Sequence, residues 1–160
     1  MDAERLIAVA RRALAECGAA LDVVAEAWQV QVLAQAVGGQ LAVCGPQELR
    51  SEARGLSETG GRVGGPVDAR SLHSGTLRAA QLTGVADPRK ALTALVALLG
   101  EAGMALVGVA CATDEEGLYW QCIEAIDAVD ESSDRARAML RRLSLRDHSQ
   151  ESPDPATSPP

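Results

Sequence analysis

A run of small and apolar residues from Ala91 to Ala112 constrains this chain more than any other part of the sequence. Its one charged residue is Glu101. Asp87 and Pro88 precede the run, as an N-cap and a proline suited to the first helical position. Leucine and valine then recur at helical spacing, and alanine leaves no strongly polar face. The sequence therefore predicts a helix over residues 88–112 that other helices surround.

Two other structures are open to the same run. About 20 apolar residues span a bilayer, and the basic residues before the run and acidic residues after it resemble a positive-inside arrangement. Glu101 near the middle and the dominance of alanine and glycine over larger apolar residues argue against a membrane span. In the other alternative, Gly100 and Gly103 break the run and residues 104–112 form a buried β-strand.

Length and composition predict one small domain with an unusual core. The chain has 160 residues, 2% aromatic residues and no phenylalanine, so its core must consist of leucine, valine and alanine. Small side chains imply closely spaced helices. Abundant alanine, glycine and arginine are typical of GC-rich bacterial genomes.

Charge and cysteine content exclude some classes of protein. A net charge of −7 argues against nucleic acid as a partner, because a phosphate-binding surface needs clustered lysine and arginine. The acidic residues Asp2 and Glu4 stand where a signal peptide would be basic, so we expect a cytoplasmic protein. The four cysteines form no CxxC pair and are expected to be reduced core thiols.

The first half of the chain predicts two helices followed by a loop. Residues 2–17 show one apolar stripe, and residues 20–37 show apolar rows on two sides, which indicates a second central helix. Gly38 and Gly39 are a stop signal, after which residues 40–44 either continue the helix or form a short strand. The glycine-rich stretch 45–66 is expected to be a mobile loop, with a short polar helix at 46–54 and a weak helical pattern at 67–83.

The second half predicts one long helix and a tail. Thr113 and Glu116 form a capping-box pattern that opens a helix running to about Leu143, with a bend or break at Ser132 and Ser133. The proline-rich residues 146–160 are expected to be disordered. The predicted fold is an all-α bundle of four or five helices over residues 1–145.

Three residues are the best ligand-binding hypothesis that the sequence offers. A carboxylate inside a buried helix must be paired, hydrogen-bonded or protonated, so Glu101 requires an arginine from the first or last helix, access to solvent, or a pocket. Trp28 and Trp120 are expected to anchor the core. If they instead border a gap between alanine-rich helices, they line an apolar cavity together with Glu101.

No pattern predicts catalysis, a metal or a cofactor. No cysteine stands at a spacing from His73 that indicates a Cys–His nucleophilic site. The glycine-rich residues 59–65 lack the GK[ST] ending of a phosphate loop. The acidic residues of the last helix have no ExxH pairing and are interpreted as a solvated face; they are Glu124, Asp127, Asp130, Glu131 and Asp134.

The N-terminal third resembles a known family. Arg5-Leu6-Ile7, Ala13-Leu14, residues 24–29 (VAEAWQ), Gln31, Leu33-Ala34 and Gly38 are similar to short actinobacterial, Streptomyces-like helical proteins of unknown function. The resemblance implies a small cytoplasmic bacterial protein. It carries over no activity and no site.

Surplus apolar surface on the central helices favours a protein that associates with itself. Small bundles with more apolar helix surface than they can cover often close the remainder by dimerising. We therefore expect a non-enzymatic interaction or scaffold protein, a homo-oligomer or the partner of another protein. The alternative is a small-molecule-binding regulator with a cavity near Trp28, Glu101 and Trp120. An enzyme would need Glu101, His73 or a cysteine to converge in one cleft.

Overall fold

Five α-helices make up the part of the protein that the structure describes. The computed structural model describes residues 1–59 and 78–151, and the helices are α1 (Ala3–Glu16), α2 (Ala20–Cys44), α3 (Arg50–Glu58), α4 (Pro88–Ala112) and α5 (Glu116–Glu151). Short 3₁₀ helices at Gln47–Leu49 and Arg78–Gln81 precede α3 and α4. Within the described ranges the one β-type pairing is an isolated bridge between Asp2 and Gly84. The predicted all-α class is confirmed.

The four long helices alternate in direction. The start of α1 is held next to the start of α4, because the amide of Ala3 donates to the carbonyl of Gly84 at 3.1 Å. Further along, Arg11 of α1 pairs with Glu101 of α4, so these two helices run parallel. The short connection from α4 to α5 makes that pair antiparallel. The result is an up-down-up-down bundle, with α3 packed against α2 and α5.

Side-chain caps fix where α1 and α4 begin. The carboxylate of Asp2 accepts from the amide of Glu4 at 3.1 Å and from the amide of Ala86 at 3.0 Å. The carboxylate of Asp87 accepts from the amide of Lys90 at 3.2 Å, and Pro88 opens the helix. Each cap satisfies one of the amides that a helix start leaves unpaired, so the predicted start of α4 is confirmed.

Helix α2 passes through its predicted stop. It continues across Gly38 and Gly39 to Cys44, so both the stop and a strand at 40–44 are wrong. A Cβ at Gly38 would lie 2.8 Å from the amide nitrogen of Ser57 and 2.9 Å from the carbonyl oxygen of Ala53. Gly38 is therefore a close-approach position for α3 and does not end the helix. Of its two predicted apolar rows, the one with Val30, Leu33 and Val37 is buried, whereas the row with Trp28 and Val32 is at most half-buried.

Helix α3 occupies most of the predicted mobile loop. The 3₁₀ helix and α3 cover Gln47–Leu49 and Arg50–Glu58, and Leu49, Ala53 and Leu56 are fully buried. The apolar spacing of these three residues anchors the segment to the core. The remainder of the loop, 60–66, and most of the weak helical pattern, 67–77, lie outside the described residues.

Helix α4 is continuous and is open on one side. It runs without a break from Pro88 to Ala112, so a strand at 104–112 is wrong. Among the described helices α4 is the one long and apolar enough to cross a membrane, and 28% of its most apolar 18-residue window is buried. The prediction that other helices surround α4 is therefore wrong for one of its faces.

Helix α5 is longer than predicted. It runs through Ser132 and Ser133 without a break and past Leu143 to Glu151. The two serines are buried at 0% and 7% exposure, so they belong to the packed side of the helix. The hydroxyl of Thr113 accepts from the amide of Glu115 at 3.1 Å, but the amide of Thr113 donates to the carbonyl of Val109 at the end of α4, so the predicted capping box with Glu116 is not formed. Residues 146–151 of the predicted tail are helical, and 152–160 lie outside the described residues.

A buried polar cluster joins α2, α3 and α5. The side-chain amide nitrogen of Gln31 donates to the hydroxyl of Ser132 at 2.8 Å and to that of Thr59 at 3.2 Å. Thr59 donates in turn to the carbonyl of Leu56 at 2.7 Å. Because buried polar groups without partners are costly, this cluster favours one arrangement of the three helices.

Candidate functional site

The most distinctive surface of the described protein is the exposed side of α4. Met104 is 78% exposed and Val107 is 47% exposed, although both belong to the most apolar helix of the chain. Their neighbours at helical spacing are small and also exposed. We call this surface the outer face of α4 and define it by Ala97, Gly100, Met104, Val107, Gly108 and Cys111.

Two glycines leave the helix backbone on this face without covering side chains. A Cβ added at Gly100 or at Gly108 would meet no described atom within 4 Å. Neither glycine is therefore required by packing within the described monomer. Glycine in an exposed helix interior costs about 1 kcal/mol relative to alanine. By contrast, a Cβ at Gly103, which faces α5, would contact Val129 at 3.8 Å.

The two ends of α4 carry opposite charges. Arg89 and Lys90 stand in its first turn, and Asp114, Glu115 and Glu116 follow its last turn. The Lys90 side chain is 71% exposed and lies 3.7 Å from Asp87, so this pair is accessible to solvent. Arg89 is paired with Asp147 of α5, so Lys90 is the exposed cation at the start of the helix.

Glu101 lies at the edge of this face and is paired, as the sequence predicts, with an arginine of the first helix. The Nε of Arg11 donates to both carboxylate oxygens of Glu101, at 3.1 and 3.0 Å. The hydrogen bond from Arg11 lowers the pKa of Glu101 below its ordinary value. The two side chains are 46% and 43% exposed. Glu101 is therefore a charged surface residue that has an arginine partner and also reaches solvent, two of the arrangements that the sequence left open.

Trp28, Glu101 and Trp120 lie on three different helices. Trp28 is half-buried on α2, whereas Trp120 is 55% exposed on α5 and makes an edge-to-face contact with Tyr119 at 5.4 Å between ring centroids. Trp120 is thus a surface residue and not a core anchor. The exposed Tyr119–Trp120 pair adds apolar surface just after the end of α4.

A cleft lies at the end of the bundle where α1 and α2 meet α4 and α5. Its volume is about 840 Å³, and Leu14, Leu21, Ala105 and Val109 are among the residues that line it. None of Trp28, Glu101 and Trp120 contributes to its lining. The three residues chosen from the sequence as a ligand site are therefore not brought together in this cleft.

The cysteines are divided between buried and exposed positions. Cys122 is fully buried in the core, Cys17 is half-buried, and Cys44 and Cys111 are exposed, so the prediction of four core thiols holds for Cys122 alone. Burial raises the pKa of the Cys17 and Cys122 thiols, which makes both weaker nucleophiles.

The remaining residues that the sequence analysis considered form no site among the described residues. His73 and most of the glycine-rich residues 59–65 lie outside them. The five acidic residues on α5 are exposed. Within residues 1–59 and 78–151, no group of three His, Cys, Asp or Glu side chains is placed to hold a metal ion.

Sequence reasoning selected Glu101 and missed the face beside it. Met104 and its neighbours show the same apolar spacing as the buried stripe of α4, so the sequence pattern does not separate the two. The one available signal was the position of glycines: Gly100 and Gly108 share a side of the helix with Met104, on which no large residue other than Met104 and Val107 stands.

Comparison with known proteins gives a family and no activity. No curated protein and no solved structure matches the chain. A family model described as a family of unknown function, DUF6099, matches residues 1–142. This match extends far beyond the N-terminal third that carried the sequence resemblance. The chain therefore belongs to the DUF6099 family of unknown function.

Proposed function

We propose that this protein is a non-enzymatic interaction module that associates with a second copy of itself through the outer face of α4. The observation that carries the proposal is the exposure of Met104 and Val107 on the most apolar helix of the chain. Burying large apolar side chains against a partner removes them from water and is the main driving force of association.

The size of the face determines how strong the association should be. Six residues define the face, whereas stable complexes typically bury about 20–30 residues on each partner. The area can grow at one end, where Tyr119 and Trp120 are exposed just beyond the last turn of α4. We therefore expect a dimer that forms and dissociates with concentration.

The alternative function, binding of an apolar small molecule near Trp28, Glu101 and Trp120, has less support. Glu101 forms an ion pair in contact with solvent, and Trp120 is exposed. The large cleft at the end of the bundle lacks all three residues. An enzymatic role is likewise less supported, because Glu101 is paired with Arg11 and the thiol of Cys122 is buried.

Light scattering on a matched pair of variants tests the proposal. Met104→Glu places a charge in the middle of the outer face and should shift the protein to monomer, raising the dissociation constant at least about ten-fold. Val43→Glu is the control, because Val43 is 75% exposed, close to the 78% of Met104, and lies at the end of α2. It should leave the dimer unchanged.

Three outcomes would contradict the proposal. The wild-type chain could be a monomer at every concentration, or both variants could weaken the dimer equally. The third is binding of the wild-type chain, but not of Met104→Glu, to lipid vesicles without any dimer in solution, since the face would then serve a membrane. Circular dichroism of each variant checks that the helices remain folded.

A further inference from the structure

The order of residues along the outer face of α4 indicates how two copies fit together. On the basis of the proposed self-association, we propose that the α4 helices of two copies pack antiparallel across a two-fold axis at Met104. Met104 then meets the Met104 of the second copy. Gly100 of each copy lies opposite Gly108 of the other.

The spacing on the face is symmetric about Met104. Gly100 and Gly108 are each four residues away from it, and Ala97 and Cys111 are each seven residues away. A two-fold interface must be complementary to itself, so that residue i contacts j while j contacts i. An antiparallel pair centred on Met104 satisfies this rule with small residues at each of these positions. The one large side chain on the axis is Met104, which adapts to irregular gaps.

The charges at the ends of α4 favour the antiparallel direction. Antiparallel packing brings Lys90 of one copy, whose side chain is 71% exposed, to the side of Asp114, Glu115 and Glu116 of the other. Arg89 is already paired with Asp147 of its own chain. Parallel packing would place the three carboxylates of both copies side by side, in a chain whose net charge is already −7. The dipoles of two antiparallel helices also point in opposite directions, which is electrostatically favourable.

The glycines allow the helices to approach closely. A Cβ at Gly100 or Gly108 would meet no described atom within 4 Å, so the backbone at both positions is open to a partner. Small residues at a helix interface let two backbones come nearer than side chains otherwise permit. In this arrangement the two glycines that packing within the described monomer does not require lie at the helix contact.

Cysteine cross-linking distinguishes the two directions. The test uses three full-length chains that share Cys44→Ser, which removes the other exposed thiol and keeps Cys111. The first has no further change, the second adds Ala97→Cys, and the third adds both Ala97→Cys and Cys111→Ser. Position 97 is exposed, so the substitution should not disturb the core.

Antiparallel packing predicts a disulfide-linked dimer from the second chain alone. The thiol introduced at position 97 then faces Cys111 of the second copy, whereas two Cys111 residues, or two thiols at 97, lie about 20 Å apart along the helix axis. A disulfide requires Cα atoms within about 7 Å, so we expect about ten-fold more linked dimer from the second chain than from the others. Adding Met104→Glu to it should abolish the link.

The outcomes separate this inference from the proposed function. A linked dimer from the first chain would indicate parallel packing and overturn the inference, while self-association would stand. If light scattering shows a dimer but none of the chains is cross-linked, the packing centred on Met104 is overturned and self-association stands. A monomer by light scattering in all three chains would overturn both.

Discussion

At the scale of single residues, Glu101 is a candidate ligand-binding residue in the sequence and one half of an ion pair in the structure. A lone carboxylate in an apolar run suggests a buried site, yet Arg11 lies within hydrogen-bonding distance and both groups contact solvent. The sequence correctly predicted an arginine partner, because a helix packed beside Glu101 had to supply a compensating charge. It could not show that the residue stands at the edge of an exposed face.

The pair gives a pH-dependent contribution to stability. Since Arg11 lowers the pKa of Glu101 in the folded chain, the pair stabilises the fold above the ordinary glutamate pKa of about 4.3, and the contribution is lost as the pH falls through the lowered value. Glu101→Gln should therefore lower the free energy of unfolding by less than about 1 kcal/mol at pH 7, given the exposure of both groups.

Urea denaturation at two pH values checks this prediction. The difference between wild type and Glu101→Gln should be present at pH 7 and absent near pH 2, where the wild-type carboxyl is protonated as well. Glu124→Gln, an exposed position on α5 with no ion pair among the described residues, is the control and should show no difference at pH 7. A cost for Glu101→Gln that is the same at both pH values would contradict the account.

At the scale of helices, Gly38 and Gly39 show why α2 continues where the sequence suggested an end. Both glycines are inside the helix, and only one of them touches another helix. Gly38 lies against the backbone of α3, whereas a Cβ at Gly39 would meet no described atom within 4 Å. A glycine pair can mark a helix end or a helix crossing, and the sequence does not separate these without the position of the neighbouring helix.

Alanine substitutions at these adjacent positions should have opposite effects. Gly38→Ala should destabilise the protein by about 1–3 kcal/mol, because its Cβ forces α3 away from α2. Gly39→Ala should stabilise it by up to about 1 kcal/mol through helix propensity. The free energy of unfolding in urea measures both changes, and effects of the same sign and size would contradict the close approach of α2 and α3.

Across the whole molecule, the all-α class and the start of α4 could be predicted, and the exposure of α4 could not. Helical spacing and the Asp87–Pro88 cap are local signals. Which face of an apolar helix is covered depends on the number of neighbours, and Met104 has the same pattern as buried residues of α4. The ligand site proposed for Trp28, Glu101 and Trp120 depends on the same knowledge of which faces meet, and it stays a prediction.

Sedimentation equilibrium of the wild-type chain in detergent-free buffer tests whether the exposed face of α4 brings two copies together. Between about 10 μM and about 500 μM, a weak dimer should raise the apparent mass from near that of one 16.6 kDa chain toward that of two. A mass that stays at one chain over the whole range would contradict the account.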